Sequence, residues 1–369
     1  MIMLYPLKFK SIFKERIWGG NLIKNQLKKD TGSLKDNIGE SWDICDREAD
    51  NSIVENGIYQ GLSLKDIRLR FKDKLLGTQL DFNQPFPILV KILDAAEDLS
   101  LQVHPKYNDL PSLPKGAQPK TEFWYVLDHL PEAKIMAGLN NYKKKNKLIY
   151  KEEFIKNISS EKIRDFVQMI PSAKNLLLYI ESGTIHAIGA GNLILEIQEN
   201  SDTTYRVSDW GRVDKNNQPR ELHLKESLLC INFNDNRLPE INPIDLKANK
   251  QVVKGAHFSS FSNFIESGIL KESTAQSCEI ISVVDGAIAI LYKFPLENAD
   301  ENNPHSFSNI ITSLQVAKPK LTLQNFKDEV EHVLILNKGE SCLLPANIAV
   351  VIFPYLTDSA TFLNTLVVA

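Results

Sequence analysis

Cysteine is scarce in this chain, and the four that occur, Cys45, Cys230, Cys278 and Cys342, stand alone with no CxxC pair. That pattern argues against a disulfide framework and a thiolate zinc site, and it fits reduced thiols in a cytosol. Long hydrophobic runs are also missing. The opening residues 1–7 break at Pro6 and run into Lys8 and Lys10, too short for the apolar region of a signal peptide, and no later stretch approaches a membrane span. The expected location is the cytoplasm. Neither charge sign dominates: 43 Lys and Arg stand against 46 Asp and Glu, a formal net charge of -3, mixed along the whole length. No nucleic acid and no membrane is therefore expected as a partner. The one basic cluster, at 143–147, reads as a solvated helix start. A glycine-rich phosphate loop and a dinucleotide fingerprint are absent, so any bound phosphate must be held by Arg, Lys and Ser side chains.

What is present begins with alternation. In Leu99-Ser100-Leu101-Gln102-Val103-His104-Pro105 the apolar residues take every second place, so Ser100, Gln102 and His104 project from one face of a strand. An amide oxygen and an imidazole then stand side by side, both able to bind a metal. Lys120, Glu122 and Trp124 share a face in the next such segment, and His186 lies in a short apolar stretch bounded by Gly183 and Gly189. Gln102, His104, Glu122 and His186 together would make one divalent-metal site with a single carboxylate. That donor set suits zinc or a similar ion, with room left for substrate or water. Of the other histidines, His129, His257, His305 and His332 have no comparable company and read as structural. For His223 the expected role is hydrogen bonding.

At 369 residues and 43% hydrophobic content, the chain has room for two soluble domains. A helix is predicted behind Ser63, with Asp66 in the capping-box place, an apolar stripe of Leu64, Ile67, Phe71 and Leu75, and Gly77 closing it. A buried strand over 87–93 leads into the Gln102 segment. Ile163, Phe166, Val167 and Ile170 fall on one helical face behind Ser160, which predicts a helical insert at about 139–170. Strands return at 176–180, around His186, at 192–199 and at 203–208. Short strands with glycine turns predict a barrel or sandwich, and ligands converging from three strands favour the double-sheet barrel called the cupin. Residues 232–249 read as a linker, and 259–263 and 298–309 as loops. Further strands are expected at 278–284, 287–292, 333–336 and 349–353, the first two joined by an Asp285-Gly286 hairpin, with a cupin-like turn at Gly339 and Pro345. The expected fold class is mainly β, with two cupin-like jelly-roll barrels: a metal-binding catalytic domain over 1–237 and a metal-free one over 238–369.

Gln102-x-His104-Pro105, Lys120-x-Glu122, Gly183-Thr184-x-His186-Ala187, and Glu196 followed by Ser201-Asp202-x-x-Tyr205-Arg206 resemble the type I mannose-6-phosphate isomerases, in the order and spacing of the shorter bacterial form. Trp18-Gly19-Gly20, Gly39-Glu40-Ser41-Trp42 and Pro219-Arg220-Glu221-Leu222-His223 add to a likeness that runs from about Phe13 to about Leu229. Asn175 and Glu181 depart from it, standing where the family has a glycine and a proline ahead of the second histidine.

The resemblance implies a zinc-dependent enzyme, with one ion per chain on Gln102, His104, Glu122 and His186. Its substrate would be a small sugar phosphate, mannose 6-phosphate converted to fructose 6-phosphate through an enediol, by a monomer or homodimer. Moving a proton between C1 and C2 needs a cation for the developing oxyanion, a base for the carbon proton and an anchor for the phosphate. The catalytic candidates are Arg206, Glu196 and Lys120. Arg206 is always cationic and so stabilises enediolate or phosphate charge. Glu196 serves as base or holds sugar hydroxyls, and Lys120 serves charge stabilisation or proton transfer. Ser100, Trp18 and Glu40 are the candidate substrate contacts, with core packing an equal reading for Trp18, Glu40 and Trp42. Two competing functions are open. A metal-dependent cupin dioxygenase would leave Lys120 and Arg206 without a purpose, and a non-catalytic sugar-binding cupin has only the Asn175 and Glu181 departures in its favour.

Overall fold

The computed structural model describes residues 4–34, 37–140, 147–213, 216–233, 240–243, 247–292 and 332–368. The basic residues at 143–146, His305 and the expected loop at 298–309 lie outside them. The chain divides into two compact units, one of Met1–Ile12, Asp43–Ile88 and Ile244–Ala369, the other of Phe13–Trp42 and Leu89–Pro243. This differs from the single boundary expected between residues 237 and 238. Early residues belong with late ones: Leu7–Lys8 pairs with Leu343 and Cys342, and Cys278 N–H donates to Leu76 O at 2.9 Å. Pairings so distant in sequence leave no local composition signal.

The unit containing the C-terminal chain carries two sheets. The larger has the order Leu7–Lys8, Ser341–Leu344, Glu279–Asp285, Ala360–Val367, Phe258–Ile265, Lys250–Lys254, and the smaller Ile269–Glu272, Ala349–Pro354, Ala287–Tyr292, His332–Asn337. Asp285-Gly286 therefore joins two different sheets instead of closing a hairpin. Gly286, at φ +71, turns the corner. The segment expected as a loop at 259–263 is also a strand. Its burial alternates, with Ser260 and Ser262 buried and Ser259 and Phe261 only half-buried, and it pairs with Ala360–Val367 along its whole length. Serine has little strand preference of its own, so cross-strand pairing decides here. The helix behind Ser63 has its capping box, but it ends at Phe71; Lys72 breaks it at φ 52, and Leu75 belongs to a second helix, Asp73–Leu76.

The other unit has a seven-stranded sheet in the order Glu240–Pro243, Leu176–Ile180, Glu122–His129, Asn192–Glu199, Ile88–Ala95, Ile12–Gly20, Ile38–Ile44. Its five-stranded sheet runs Tyr205–Ser208, Leu101–Val103, His186–Ile188, Lys134–Leu139, Val167–Pro171. Glu240–Pro243 pairs with Leu176–Ile180, so part of the expected linker is strand. The insert holds a helix, Lys147–Asn157, and a short 3-10 helix, Glu161–Phe166. Val167 and Ile170, expected on a helical face, lie instead on a strand that pairs with Lys134–Leu139, where their β-branched side chains fit. Alternation at 101–104 works as the sequence suggests. Leu101 and Val103 enter a core with Tyr150, Phe154 and Ile163 of the insert, which leaves Gln102 for the opposite face.

Candidate metal centre

Three strands of the five-stranded sheet set one row of functional residues. Gln102 is directly opposite His186 on one side and Arg206 on the other, so all three project from the same face. His104 follows the end of the Gln102 strand. Glu122 comes from the seven-stranded sheet, opposite Gln198, while Trp124 stands opposite Glu196 two residues further on. The centre thus draws on both sheets of its unit.

The histidines present matching nitrogens. His104 Nδ1 donates to Thr203 O at 2.9 Å and His186 Nδ1 donates to Thr184 O at 2.8 Å, which leaves each Nε2 lone pair facing inward. His104 Nε2 is 3.6 Å from Glu122 Oε2, and His186 Nε2 is 3.5 Å from Glu122 Oε1. His104 Nε2 and Glu122 Oε1 are buried without a hydrogen bond, a costly arrangement unless a cation is to be held there. Gln102 Nε2 lies 3.2 Å from His186 Nε2, and Ser100 Oγ donates to Gln102 Oε1 at 3.2 Å. Turning that amide by 180° presents Oε1 to the cluster and lets Nε2–H donate to Ser100 Oγ. Among the described residues, His104, Glu122 and His186 are the cluster of acidic, histidine or cysteine groups that could hold a metal, with ligand atoms all within 4.8 Å. The donor set fits a divalent ion.

Electrostatics agree with that use. Burial, then the Lys120 ammonium, lowers the His104 pKa to about 3, and burial lowers that of His186, so both imidazoles are neutral, the form able to bind a metal. Burial opposes ionisation of Glu122, but the Lys120 ammonium, 2.7 Å from Oε2, leads the groups that hold its carboxyl well below the usual range. The four cysteines are buried and free, and burial pushes each thiol up to about 12, far from the thiolate a metal needs.

A cleft of about 520 Å³ opens at the centre, lined by Gln102, Lys120, His186, Glu196 and Arg206 together with Ser100, Trp18 and Glu40. A family model for the phosphomannose isomerase type I catalytic domain matches residues 6–145. Mannose-6-phosphate isomerase ManA of Bacillus subtilis is 39% identical over 228 residues, 61% of this chain and 68% of its own. The mannose-6-phosphate isomerase of Streptococcus mutans is 36% identical over 226 residues, 61% of this chain and 67% of its own. The chain belongs to the type I mannose-6-phosphate isomerase family. A crystal structure of the Bacillus subtilis mannose 6-phosphate isomerase covers 98% of this chain and 99% of its own at a TM-score of 0.75 and 26% identity.

At the cleft Glu196 is gripped at both oxygens. Trp124 Nε1 donates to Oε2 at 2.9 Å, while Lys91 Nζ stands 2.9 Å and Lys120 Nζ 3.7 Å from Oε1. Burial and the nearby Glu122 carboxylate raise its pKa against the pull of the two lysines. Glu40 accepts from Arg16 Nε at 2.8 Å and from Trp42 Nε1 at 2.5 Å, so it is a structural anchor and a cleft-lining group at once. Trp18 is likewise both, buried in the core and facing the cleft. His223 accepts from Arg206 N–H at 3.2 Å and donates its own N–H to Arg206 O at 2.8 Å, fixing the backbone that carries the guanidinium.

Asn175 does a glycine's work: it stands at φ 67, and its side chain accepts from Tyr125 Oη at 2.8 Å. Glu181 heads a turn in which Thr184 N–H donates to its carbonyl at 3.0 Å, with Gly183 at φ +86, so the turn forms without proline. Two residues with no role assigned from the sequence join the cleft. Arg220 is clasped by Asp209 through both carboxylate oxygens, and its like charge lowers the pKa of Arg206 after burial. Lys91 is the other, and its sequence signal was a lone lysine in an apolar strand.

Proposed function

We propose that the protein interconverts mannose 6-phosphate and fructose 6-phosphate, using zinc, one ion per chain, on Gln102, His104, Glu122 and His186. The observation that carries this reading is the His104–Glu122–His186 cluster beside a cleft that His186 lines together with Glu196, a carboxylate of raised pKa, and the guanidinium groups of Arg206 and Arg220. A cation held by two neutral imidazoles, a neutral amide and one carboxylate keeps net positive charge beside the substrate oxygens.

Glu196 takes the proton from C2 of the open-chain aldose and returns it to C1, the electrons of the C2–H bond passing through the enediolate. Its raised pKa suits a base that must also give the proton back. Lys120, beside Glu122 and within reach of Glu196, lends positive charge or a proton to the oxygens as they gain and lose charge. Arg206, in the same row as Gln102, meets the enediolate charge. Arg220, aligned by Asp209, holds the phosphate as a planar donor. Ser100, Trp18 and Glu40 contact the sugar. The site residues lie within the unit 13–42 and 89–243, which is assigned here as the catalytic part, and the C-terminal unit is assigned no metal.

The test is a coupled assay for fructose 6-phosphate from mannose 6-phosphate, before and after chelation and after zinc is restored. Product formation that chelation removes and zinc restores is the expected result. Binding of the sugar phosphate with no turnover would replace this reading with that of a sugar-binding protein.

A further inference from the structure

Lys91 is a charged residue that the chemistry above leaves without a purpose. It sits in the strand Ile88–Ala95 between Val90 and Ile92, both fully buried, and its side chain is only 12% exposed, where it lines the cleft. Burying an ammonium there is costly, and a buried ion pair is rarely more stabilising than an apolar side chain of the same size. Stability alone is thus a poor reason for a lysine at this point.

Geometry supplies a better one. Lys91 Nζ is 2.9 Å from Glu196 Oε1, and its ammonium also feels the carboxylates of Glu40 and Glu122, which keep it protonated in spite of burial. Trp124 Nε1 holds the other oxygen of Glu196 at 2.9 Å. Two groups from the strands on either side of Glu196 therefore clamp its carboxylate in one orientation. Lys91 also feels the charge of Glu40, itself tied to Arg16 at 2.8 Å. Linked by these pairings and electrostatic influences, charges alternate from Lys120 to Glu196, Lys91, Glu40 and Arg16.

We propose that Lys91 is a positioning residue for isomerisation: with Trp124 it fixes the carboxylate plane of Glu196 against the reacting carbons and ties it to the Glu40 anchor. The proposal rests on the role given to Glu196 above. Because Lys91 acts through Glu196 and not through the metal, its loss should matter only while that carboxylate is present.

A double-mutant cycle tests this on the zinc-loaded full chain, with Lys91→Met and Glu196→Gln made singly and together. Steady-state kinetics on mannose 6-phosphate and bound zinc are read in each protein. Lys91→Met should lower kcat by about 100-fold, the scale of loss for a misplaced reacting group, with KM moved by less than about threefold. Zinc content should stay at the wild-type value. In the Glu196→Gln background the same change should cost less than about twofold, because the interaction it removes is already gone. Lys91→Arg, which keeps a cation at the carboxylate, should recover part of kcat. If Lys91→Met does not fold, Lys91→Gln takes its place in the same cycle. Losses that multiply in the double variant, or a change confined to KM, would overturn the proposal. A wild-type protein that converts no mannose 6-phosphate would refute the isomerase reading itself and the role of Lys91 with it.

Discussion

The buried His104 should give the metal-free protein a component of stability that acid removes. Its imidazole is fully buried beside Lys120, and burial above all takes its pKa from 6.5 down to about 3. In the unfolded chain the ordinary value returns. Between pH 6.5 and 3 the unfolded state therefore holds a proton that the fold excludes. The stability is fully present above 6.5 and is lost as the pH falls toward 3. At about 1.4 kcal/mol per pH unit, less where the unfolded imidazole is only half protonated, going from about pH 6.5 to about 4.5 removes roughly 2 kcal/mol through this one residue. His186, lowered by burial too, adds to this component, and Glu122, held below the carboxylate range, contributes only at lower pH. Asp94 and Glu196, both raised by burial, oppose it, so the His104 share is read from the difference between variant and wild type. The assay is urea unfolding of chelator-treated protein across this range, followed by tryptophan fluorescence. Trp18, Trp42, Trp124 and Trp210 are all in the unit that carries the site, so the signal reports that unit. His104→Leu removes the titrating group and should flatten the slope by about one proton. Parallel slopes for His104→Leu and the wild type would show that the imidazole is not held neutral, and the argument for two ready neutral ligands would fail.

Other expectations can be checked with single substitutions. Arg206→Ala should lower kcat by about 100- to 1000-fold with little change in KM, as for loss of a donor to developing charge; near-normal kcat with a raised KM would move Arg206 to phosphate anchoring. Asn175→Val should cost about 1–2 kcal/mol in denaturant unfolding because of its positive φ, with Asn175→Gly costing less. Phe154→Ala, which empties a fully buried site behind Leu101 and Val103, should cost about 3–5 kcal/mol and weaken zinc binding measured by competition with a chelating dye.

Much of the centre is legible in the sequence because a strand displays its faces with period two. Gln102 and His104 alternate with apolar residues, and their role needs no knowledge of distant pairing. Lys91 escaped for the opposite reason: its meaning lies in Glu196 and Glu40, on strands far away in the chain. The same limit explains the fold. Ser259–Asn263 has Phe261 as its one strand-forming side chain and is a strand because Ala360–Val367 pairs with it. Val167 and Ile170 satisfy a helical period by chance of spacing, but the open edge of Lys134–Leu139 takes them as a strand. Asp285-Gly286 has the composition of a hairpin turn, yet it joins two sheets, a choice made by the whole unit and invisible in a dipeptide. Asn175 shows how a departure in residue type can preserve a backbone: asparagine accepts the left-handed conformation a glycine would take.

The most direct test is to titrate chelator-treated protein with zinc while measuring bound metal and fructose 6-phosphate production in the same samples. Metal and activity should rise together and level off at one ion per chain, and His104→Ala or His186→Ala should lose both while remaining folded. Full turnover without bound metal, or activity that follows the binding of a second ion, would contradict the account.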